Sequence, residues 1–205
     1  MTEPVPAFAI GRLPRITFGA GKIAEVPTIV ARHGSRALLV TGGRSFRESP
    51  RHQDLVQGLA DAGVTLVGTT SVTGEPGVAD VADPVDRFSD AEIDVVLGIG
   101  GGAVLDTAKA IAGLLKTGTT LMDHLEGVGL GVPYPGPAVP VVAVPTTAGT
   151  GSEATRNAVI TERGPQGFKR SFRDETMVPA DAVIDPDLLA SAPRPLIAAN
   201  GLDAL

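Results

Sequence analysis

The chain of 205 residues is long enough for one sizeable domain, or for one domain and the beginning of another. Hydrophobic residues make up 43% and charged residues 20%, as in ordinary globular proteins, and no apolar run approaches the length of a membrane span. The formal net charge of −6 argues against a nucleic-acid partner, because phosphate backbones are bound by clustered Lys and Arg. The chain has no cysteine, which excludes disulfides, thiolate catalysis and cysteine metal sites. The N-terminal residues lack a signal-peptide pattern, so we expect a cytoplasmic protein without a membrane partner.

The first three quarters of the chain alternate short, β-branched apolar runs with helix-like stretches. Strands are predicted at 36–43, 64–72, 93–100 and 138–147, and helices at 49–63, 77–90 and 103–118. Pro84 predicts that the second of these helices is bent or starts late. The alternation predicts an α/β fold, a Rossmann-like parallel sheet with helices on both faces, built by residues from about 15 to 184. Such sheets bind ligands at the carboxyl ends of their strands.

The pattern changes after Gly151. Two extended segments joined by a Gly-Pro-Gln-Gly turn at 164–167 predict a β-hairpin laid against the main sheet. The sequence then turns helical from about 187 onward, with Asp185 or Asp187 as a plausible cap. The stretch rich in Pro and Gly at 127–140 is interpreted as a surface loop that leads into a strand.

Three consecutive glycines, Gly100, Gly101 and Gly102, stand between a predicted strand and a predicted helix. This arrangement leaves backbone N–H groups free at a helix N-terminus, where an anion is favoured and can approach closely because no β-carbon intervenes. The alternative is a tight strand-to-helix turn with nothing bound. The pattern is not GxGxxG, so the usual dinucleotide-binding motif of Rossmann folds is absent.

A second motif, "VPTTAGTGSEAT", follows another predicted strand at 144–155. Its hydroxyl groups can donate to a polar ligand, or they can cap the turn itself. Each motif alone is weak. Because both lie at strand carboxyl ends of one predicted sheet, together they favour a nucleotide ligand.

Three ordered motifs carry a family resemblance: "GIGGGAVLDTAKAIA", "PTTAGTGSEAT" and "DPDLLASAPRPLIAANGLDAL". Together they resemble the iron-containing (group III) alcohol dehydrogenase family, over residues from about Phe18 to Leu205. The resemblance implies that the glycine turn holds the cofactor pyrophosphate and that the Thr-rich loop lines the phosphate and the nicotinamide ribose. It implies, by position, a set of cofactor-binding residues, with the last of them close to a ribose: Gly100, Gly101, Gly102, Ala103, Asp106, Thr146, Thr147, Thr150 and Lys169.

Two positions of this set need comment. The family usually has Ser where this chain has Ala103, so one hydroxyl contact is lost while the backbone donors remain. Asp106 and Lys109 are three apart on a helix and can pair on one face. Since Asp106 belongs to the family signature, we favour a ligand-facing role for it, and we expect Lys109 to be solvated or paired.

The preference between NADP and NAD is predicted from the end of the first strand, "VTGGRSFRESP". NAD-preferring members carry an acidic residue where this chain has Gly42, so the charge that would repel a 2′-phosphate is missing. Ser45 can donate to that phosphate, and Arg44 or Arg47 can neutralise it. We therefore favour NADP; the alternative is an ordinary glycine turn with solvated arginines.

The resemblance also implies a metal ion. Members that depend on a metal hold Fe²⁺ or Zn²⁺ with one Asp, in a Gly-x-Asp-Ala-Leu motif, and three later His. Asp203 matches that Asp, whereas His33, His52 and His124 match none of the ligands. One carboxylate alone cannot hold a catalytic ion. We therefore predict a dinucleotide-binding domain at 1–185 and, at 186–205, the beginning of a helical metal-binding domain.

The complete enzyme is expected to transfer hydride between NAD(P)(H) and a small alcohol or aldehyde, and to form a homo-oligomer. We predict that the 205-residue chain binds dinucleotide weakly and is inactive alone. Two alternatives remain open: a stand-alone nucleotide-binding module without catalysis, and a relative of the dehydroquinate synthases or glycerol dehydrogenases. The full "PTTAGTGSE" motif favours the alcohol dehydrogenases over these relatives.

Overall fold

The structure is a computed structural model that describes Ala7, residues 9–190 and residues 192–204. Residues 1–6, with which the predicted cofactor domain begins, lie outside the described residues. So does Leu205, the last residue of the predicted Gly-x-Asp-Ala-Leu motif.

The described residues form eight strands and six α-helices. The strands are β1 (Arg15–Phe18), β2 (Arg36–Thr41), β3 (Thr65–Ser71), β4 (Val95–Gly100), β5 (Val141–Pro145), β6 (Asn157–Glu162), β7 (Phe168–Arg173) and β8 (Asp181–Ile184). The helices are α1 (Val26–Ala31), α2 (Pro50–Asp61), α3 (Val78–Phe88), α4 (Gly102–Leu114), α5 (Leu121–His124) and α6 (Arg194–Asp203). Short 3₁₀ helices lie at Lys22–Glu25, Ser152–Ala154, Glu175–Met177 and Pro186–Leu188. Within this part of the chain, no helix is long and apolar enough to span a membrane.

Six strands form one parallel sheet in the order β1-β8-β5-β4-β2-β3, which confirms the predicted Rossmann-like α/β fold. The four predicted strands are β2, β3, β4 and β5. The pattern did not identify β1 and β8 individually; each has only four residues, too few for a clear period.

Two apolar cores, one on each face of the sheet, show that helices cover both faces. Along β2, Leu38 and Val40 point into the core that contains α3 and α4, while Ala37 and Leu39 point into the core that contains α1 and α2. Successive side chains of a strand point to opposite faces, so a strand buried on both faces must be apolar throughout. This requirement explains why the central strands are continuous apolar runs.

Helix α3 begins at Val78, so of the two predicted effects of Pro84, a bend or a late start, the late start is wrong. Pro84 lies inside the helix and is buried, although it has no backbone N–H to donate there. The helix begins early because the Asp80 carboxylate accepts a hydrogen bond of 2.7 Å from the Gly77 amide and so caps the first turn.

The predicted hairpin is confirmed: β6 and β7 pair antiparallel, from Asn157 opposite Arg173 to Glu162 opposite Phe168. Its apolar face packs on α4, where the Phe172 ring lies against Gly113. The hairpin therefore covers the side of α4 that faces away from the sheet.

The C-terminal segment becomes helical in two steps. The Asp185 carboxylate caps the 3₁₀ turn at Pro186–Leu188 by accepting from the Asp187 amide at 3.0 Å, so Asp185 is the cap of the two predicted candidates. The same buried carboxylate also accepts from the amides of Gly21 and Ile23, which fastens the ends of β1 and β8 together. The longer helix, α6, begins only at Arg194.

Candidate functional site

The glycine turn and the Thr-rich loop meet at the carboxyl edge of the sheet. Gly100 ends β4 and is in register with Pro145, which ends the neighbouring strand β5. The Thr146 amide donates to the Gly100 carbonyl at 2.9 Å, so the two turns start side by side. This is the edge at which open parallel sheets bind their ligands.

Each of the three glycines lies against a side chain of the protein itself. A β-carbon on Gly100 would overlap Val104, one on Gly101 would lie 3.1 Å from Thr147 Oγ1, and one on Gly102 would lie 2.9 Å from Thr150 Cγ2. The glycines thus allow the Thr-rich loop to rest on the start of α4. Part of the reason for the three glycines is therefore internal packing, whether or not a ligand binds.

The same turn leaves backbone donors available. Gly101 is the N-cap residue of α4, and its carbonyl accepts from the amides of Val104 and Leu105 at 3.0 and 3.1 Å. The amides of Gly102 and Ala103 come before these first intrahelical bonds, as at any helix N-terminus. They and the helix dipole favour an anion beside them.

A cleft of about 370 Å³ opens between the first turn of α4 and the hairpin strand β6. Six of the residues predicted from the sequence line it: Gly102, Ala103, Asp106, Thr150, Lys169 and Asp203. Further residues in its lining come from the end of the Thr-rich loop, from β6 and from the loop after β3: Ser152, Thr155, Asn157, Val159, Thr161, Glu75 and Pro76.

A second cavity of about 190 Å³ lies on the other side of the Thr-rich loop. Its polar lining residues are Ser45, Ser49, Arg51, Thr146 and Thr147, and its apolar lining includes Phe46, Leu188 and Leu196. The predicted cofactor residues are thus divided between two neighbouring cavities. Gly42, Gly100 and Gly101 lie beneath side chains of α4 and of the Thr-rich loop and are in the lining of neither.

Arg44 and Arg47 line a third opening, of about 360 Å³, together with Gly43, Glu48 and His52. Ser45 lines the second cavity instead, so the hydroxyl and the two guanidinium groups that the sequence suggests act together line different openings. Glu48 also lines this opening, and its carboxylate was not part of the prediction.

Asp106 lines the cleft and also forms hydrogen bonds with three groups of the protein. Its side chain is 14% exposed. Its Oδ1 accepts from Ser152 Oγ at 2.5 Å and from Lys109 Nζ at 3.0 Å, and its Oδ2 accepts from the Val159 amide at 3.0 Å. The expectation that Lys109 is solvated or paired is confirmed in its second form, since Lys109 is fully buried and paired with Asp106.

Lys169 reaches across the outer end of the cleft. Its ammonium lies 2.8 Å from the Glu75 carboxylate, and this hydrogen bond and charge lower the pKa of Glu75 below its ordinary value. Beside the pair, the Thr161 amide donates to the Pro76 carbonyl at 2.8 Å. Sequence reasoning missed Glu75, because only the fold brings the loop after β3 to the hairpin, 94 residues further along the chain.

The described residues contain no group of three or more His, Asp or Glu side chains placed to hold a metal ion. Asp203 lies exposed on α6 at the rim of the cleft, because α6 rests on the Thr-rich loop: a β-carbon on Gly149 would lie 3.1 Å from Asp203 Cβ. His33 is bound to Asp181 at 2.7 Å, and His124 to the Val132 carbonyl and Thr119. The donors found here therefore do not fit a complete metal site.

The parallel sheet, the glycine turn at a helix N-terminus and the cleft at the strand carboxyl ends define the class of α/β nucleotide-binding proteins. Within that class the relationship is specific, since the family model described as iron-containing alcohol dehydrogenase matches residues 14–186. The chain belongs to the iron-containing alcohol dehydrogenase family.

Relatives of known name support the same family. The NAD-dependent methanol dehydrogenase of Bacillus methanolicus is 33% identical over 192 residues, which are 94% of this chain and 49% of that protein. The lactaldehyde reductase of Escherichia coli is 32% identical over 192 residues, 92% of this chain and 48% of that protein. The chain spans about half the length of the curated relatives it matches.

Solved structures give the same result. A sulfoacetaldehyde reductase from Bifidobacterium kashiwanohense in complex with NAD⁺ has a TM-score of 0.84 and 28% identity, covering 97% of this chain and 51% of that one. An NADH-dependent butanol dehydrogenase from Thermotoga maritima has a TM-score of 0.83 and 26% identity, covering 96% of this chain and 48% of that one.

Proposed function

We propose that this chain is the cofactor-binding part of an NAD(P)-dependent alcohol dehydrogenase that acts on a small alcohol or aldehyde. The observation that carries the proposal is the cleft beside the first turn of α4, where free amides, hydroxyl groups and an ammonium group converge. Two matched relatives, a methanol dehydrogenase and a lactaldehyde reductase, are named for such substrates.

Each group of the cleft has a role in this proposal. The amides of Gly102 and Ala103 hold the pyrophosphate at the positive end of the α4 dipole, and Thr150 donates to the same phosphates. Lys169 binds a ribose hydroxyl from the hairpin side, and Asp106 shapes the cleft floor. Across the Thr-rich loop, Ser45, Thr146 and Thr147 face the remaining part of the dinucleotide. When bound, the nicotinamide supplies the site that accepts or gives up hydride.

We further propose that NADP is preferred over NAD. No carboxylate follows β2 at Gly42, and the arginines Arg44 and Arg47 line an opening close by. A guanidinium group binds a phosphate dianion through parallel N–H donors. Isothermal titration with NADPH and NADH tests this preference, and tighter binding of NADH would contradict it.

Asp203 is the one metal ligand that we propose for this chain, for Fe²⁺ or Zn²⁺. The donors of the described residues do not complete such a site, so the chain alone is expected to bind dinucleotide without oxidising alcohols. Purified chain is to be assayed with NADPH or NADH, added Fe²⁺ or Zn²⁺, and a panel of short aldehydes. Turnover that survives dialysis against a chelator would contradict the proposed inactivity; dinucleotide binding without turnover is expected.

We propose a dinucleotide-binding domain at 1–185 and the beginning of a helical domain at 186–205. In its support, α6 is the one long helix after β8 in the part of the chain that is described. Homo-oligomerisation is also proposed, supported by the exposed apolar side chains of Ile16 and Phe18 on the edge strand β1 and of Leu13 just before it. Light scattering on the purified protein measures its molar mass in solution and so tests this proposal. The cytoplasmic location stays a prediction.

A further inference from the structure

Lys109 is among the largest side chains that are fully buried in the described part of the chain. Its ammonium lies within hydrogen-bond distance of four oxygen atoms: Asp106 Oδ1 at 3.0 Å, Thr155 Oγ1 at 3.1 Å, the Thr155 carbonyl at 3.4 Å and the Asn157 carbonyl. Only one of these four is on α4. The other three belong to the segment that leads from the Thr-rich loop into β6.

Placing a charged group there is unfavourable by itself. Burial lowers the pKa of Lys109 below its ordinary value, although the adjacent Asp106 carboxylate opposes this shift. A buried ammonium is tolerated only when its donors are satisfied, and an apolar side chain of similar volume commonly stabilises a protein as well or better. General stability therefore does not explain why a cation stands at this position.

The partners of Lys109 share one property, which is that all of them line the cofactor cleft. Asp106, Thr155 and Asn157 are in its lining, and so is Val159, whose amide donates to the other oxygen of Asp106. The ammonium thus joins the two walls of the cleft, the first turns of α4 on one side and the start of β6 on the other.

We infer that Lys109 is a positioning residue of the cofactor cleft: through Asp106 and the backbone at 155–157 it sets the separation between α4 and β6. Its effect on cofactor binding rests on the proposed function, while its effect on the position of β6 does not. Lys109 touches neither the solvent nor the cleft itself, so it acts only through these partners.

The first test compares dinucleotide affinity in Lys109→Met with that of the unchanged chain. Methionine keeps an unbranched side chain that is one heavy atom shorter, and it removes the charge and the donors. We expect the dissociation constant for NADPH or NADH to rise at least tenfold at temperatures where the variant is folded. Ile29→Val and Leu59→Ala are the matched controls, because both residues are buried in the core on the opposite face of the sheet. They lower stability by different amounts without touching the cleft, and their affinities are expected to stay within twofold.

The second test needs no cofactor. Amide hydrogen exchange of β6 is measured in the 205-residue chain, with the Val159 amide as the main probe. If Lys109 holds β6 against α4, Lys109→Met allows β6 to open locally without global unfolding. Amide exchange then becomes faster in β6 than in β2 or β4. In the two controls, any faster exchange follows the loss of global stability in all strands alike.

The outcomes separate the inference from the proposed function. Unchanged affinity together with uniform exchange in Lys109→Met would overturn the inference and leave the proposed function standing. An unchanged chain that binds no dinucleotide would overturn the proposed function, while faster local exchange in β6 would still support the role of Lys109. If Lys109→Met does not fold, Lys109→Gln and then Thr155→Val, which removes a single acceptor, replace it. Unaltered exchange of the Val159 amide in the variant that folds would then overturn the inference.

Discussion

Thr150 occupies the space beside Gly102 that any side chain at position 102 would need, with Cγ2 at 2.9 Å and Oγ1 at 3.1 Å from the place of a β-carbon. The Thr-rich loop thus packs directly on the glycine turn. Two explanations for Gly102 follow, close packing of the loop and close approach of a phosphate, and a pair of variants can separate them.

Gly102→Ala is expected to lower stability by about 1–3 kcal/mol, because the added methyl group overpacks the contact with Thr150. It is also expected to weaken dinucleotide binding by roughly tenfold, since the methyl group lies beside the free amides. In a Thr150→Ala background the nearest atom is gone, so the stability penalty shrinks while the affinity penalty of the alanine persists. Thermal melting and calorimetry measure the two effects, with exposed Gly11→Ala as the control. Because Thr150 is itself proposed to bind the phosphates, the double variant is compared with Thr150→Ala alone, and equal affinity of these two would mean that Gly102 serves packing alone.

Gly42→Asp is expected to reverse the proposed cofactor preference. A β-carbon at position 42 has only Val104 Cγ2 nearby, at 3.8 Å, so the backbone accepts a side chain without strain. A carboxylate there repels the 2′-phosphate of NADPH and accepts hydrogen bonds from the ribose of NADH. The affinity for NADPH is expected to fall by roughly 10- to 100-fold. The isosteric Gly42→Asn is the neutral control; if it weakened NADPH binding as much, charge repulsion would not be the cause.

Glu75→Gln is expected to tighten dinucleotide binding about two- to fivefold at low salt, because it removes a negative charge from a cleft that must accept a pyrophosphate. The melting temperature is expected to stay nearly unchanged, since the pair with Lys169 is exposed and contributes little to stability. Titrations at two salt concentrations measure the effect, with the distant exposed pair partner Glu25→Gln as the control. Weaker binding in Glu75→Gln would show instead that Glu75 is needed to hold Lys169 in place.

Tyr134 is expected to titrate far above an ordinary tyrosine. Its hydroxyl donates to the Gly113 carbonyl at 2.8 Å and its ring packs on Phe172 and His124. Burial raises its pKa to about 12. The chain has one tyrosine and no tryptophan, so phenolate absorbance near 295 nm reports this group alone. Between the ordinary value near 10 and the folded value near 12 the unfolded chain releases the proton and the folded chain keeps it. Stability therefore falls as pH rises through this window. A phenolate signal that appears near pH 10 while the chain is still folded would contradict the burial of Tyr134.

Helix α4 shows what local sequence can predict. A strand, three glycines and a helix were predicted at 93–118, and the strand and helix are found at Val95–Gly100 and Gly102–Leu114. The hairpin was predicted in the same way from two extended segments and the turn between them. Both depend on periodicity and turn chemistry, which are properties of neighbouring residues. Because the carboxyl ends of parallel strands share one edge, the meeting of the two motifs also followed from the sequence.

The tertiary structure decided the partners of charged and polar groups, because such partners come from distant parts of the chain. A lysine three residues after Asp106 can be solvated or paired. Lys109 becomes a buried ammonium because the hairpin packs on α4 and brings oxygen acceptors from residues 46 and 48 positions away. Glu75 carries no sequence motif and meets Lys169 only because the loop after β3 reaches the hairpin. Ser45 and Arg44 are neighbours in sequence, yet they line different cavities. The sequence determined the fold class and the edge that carries the site, whereas the contacts that shape the cleft depend on packing between elements far apart in the chain.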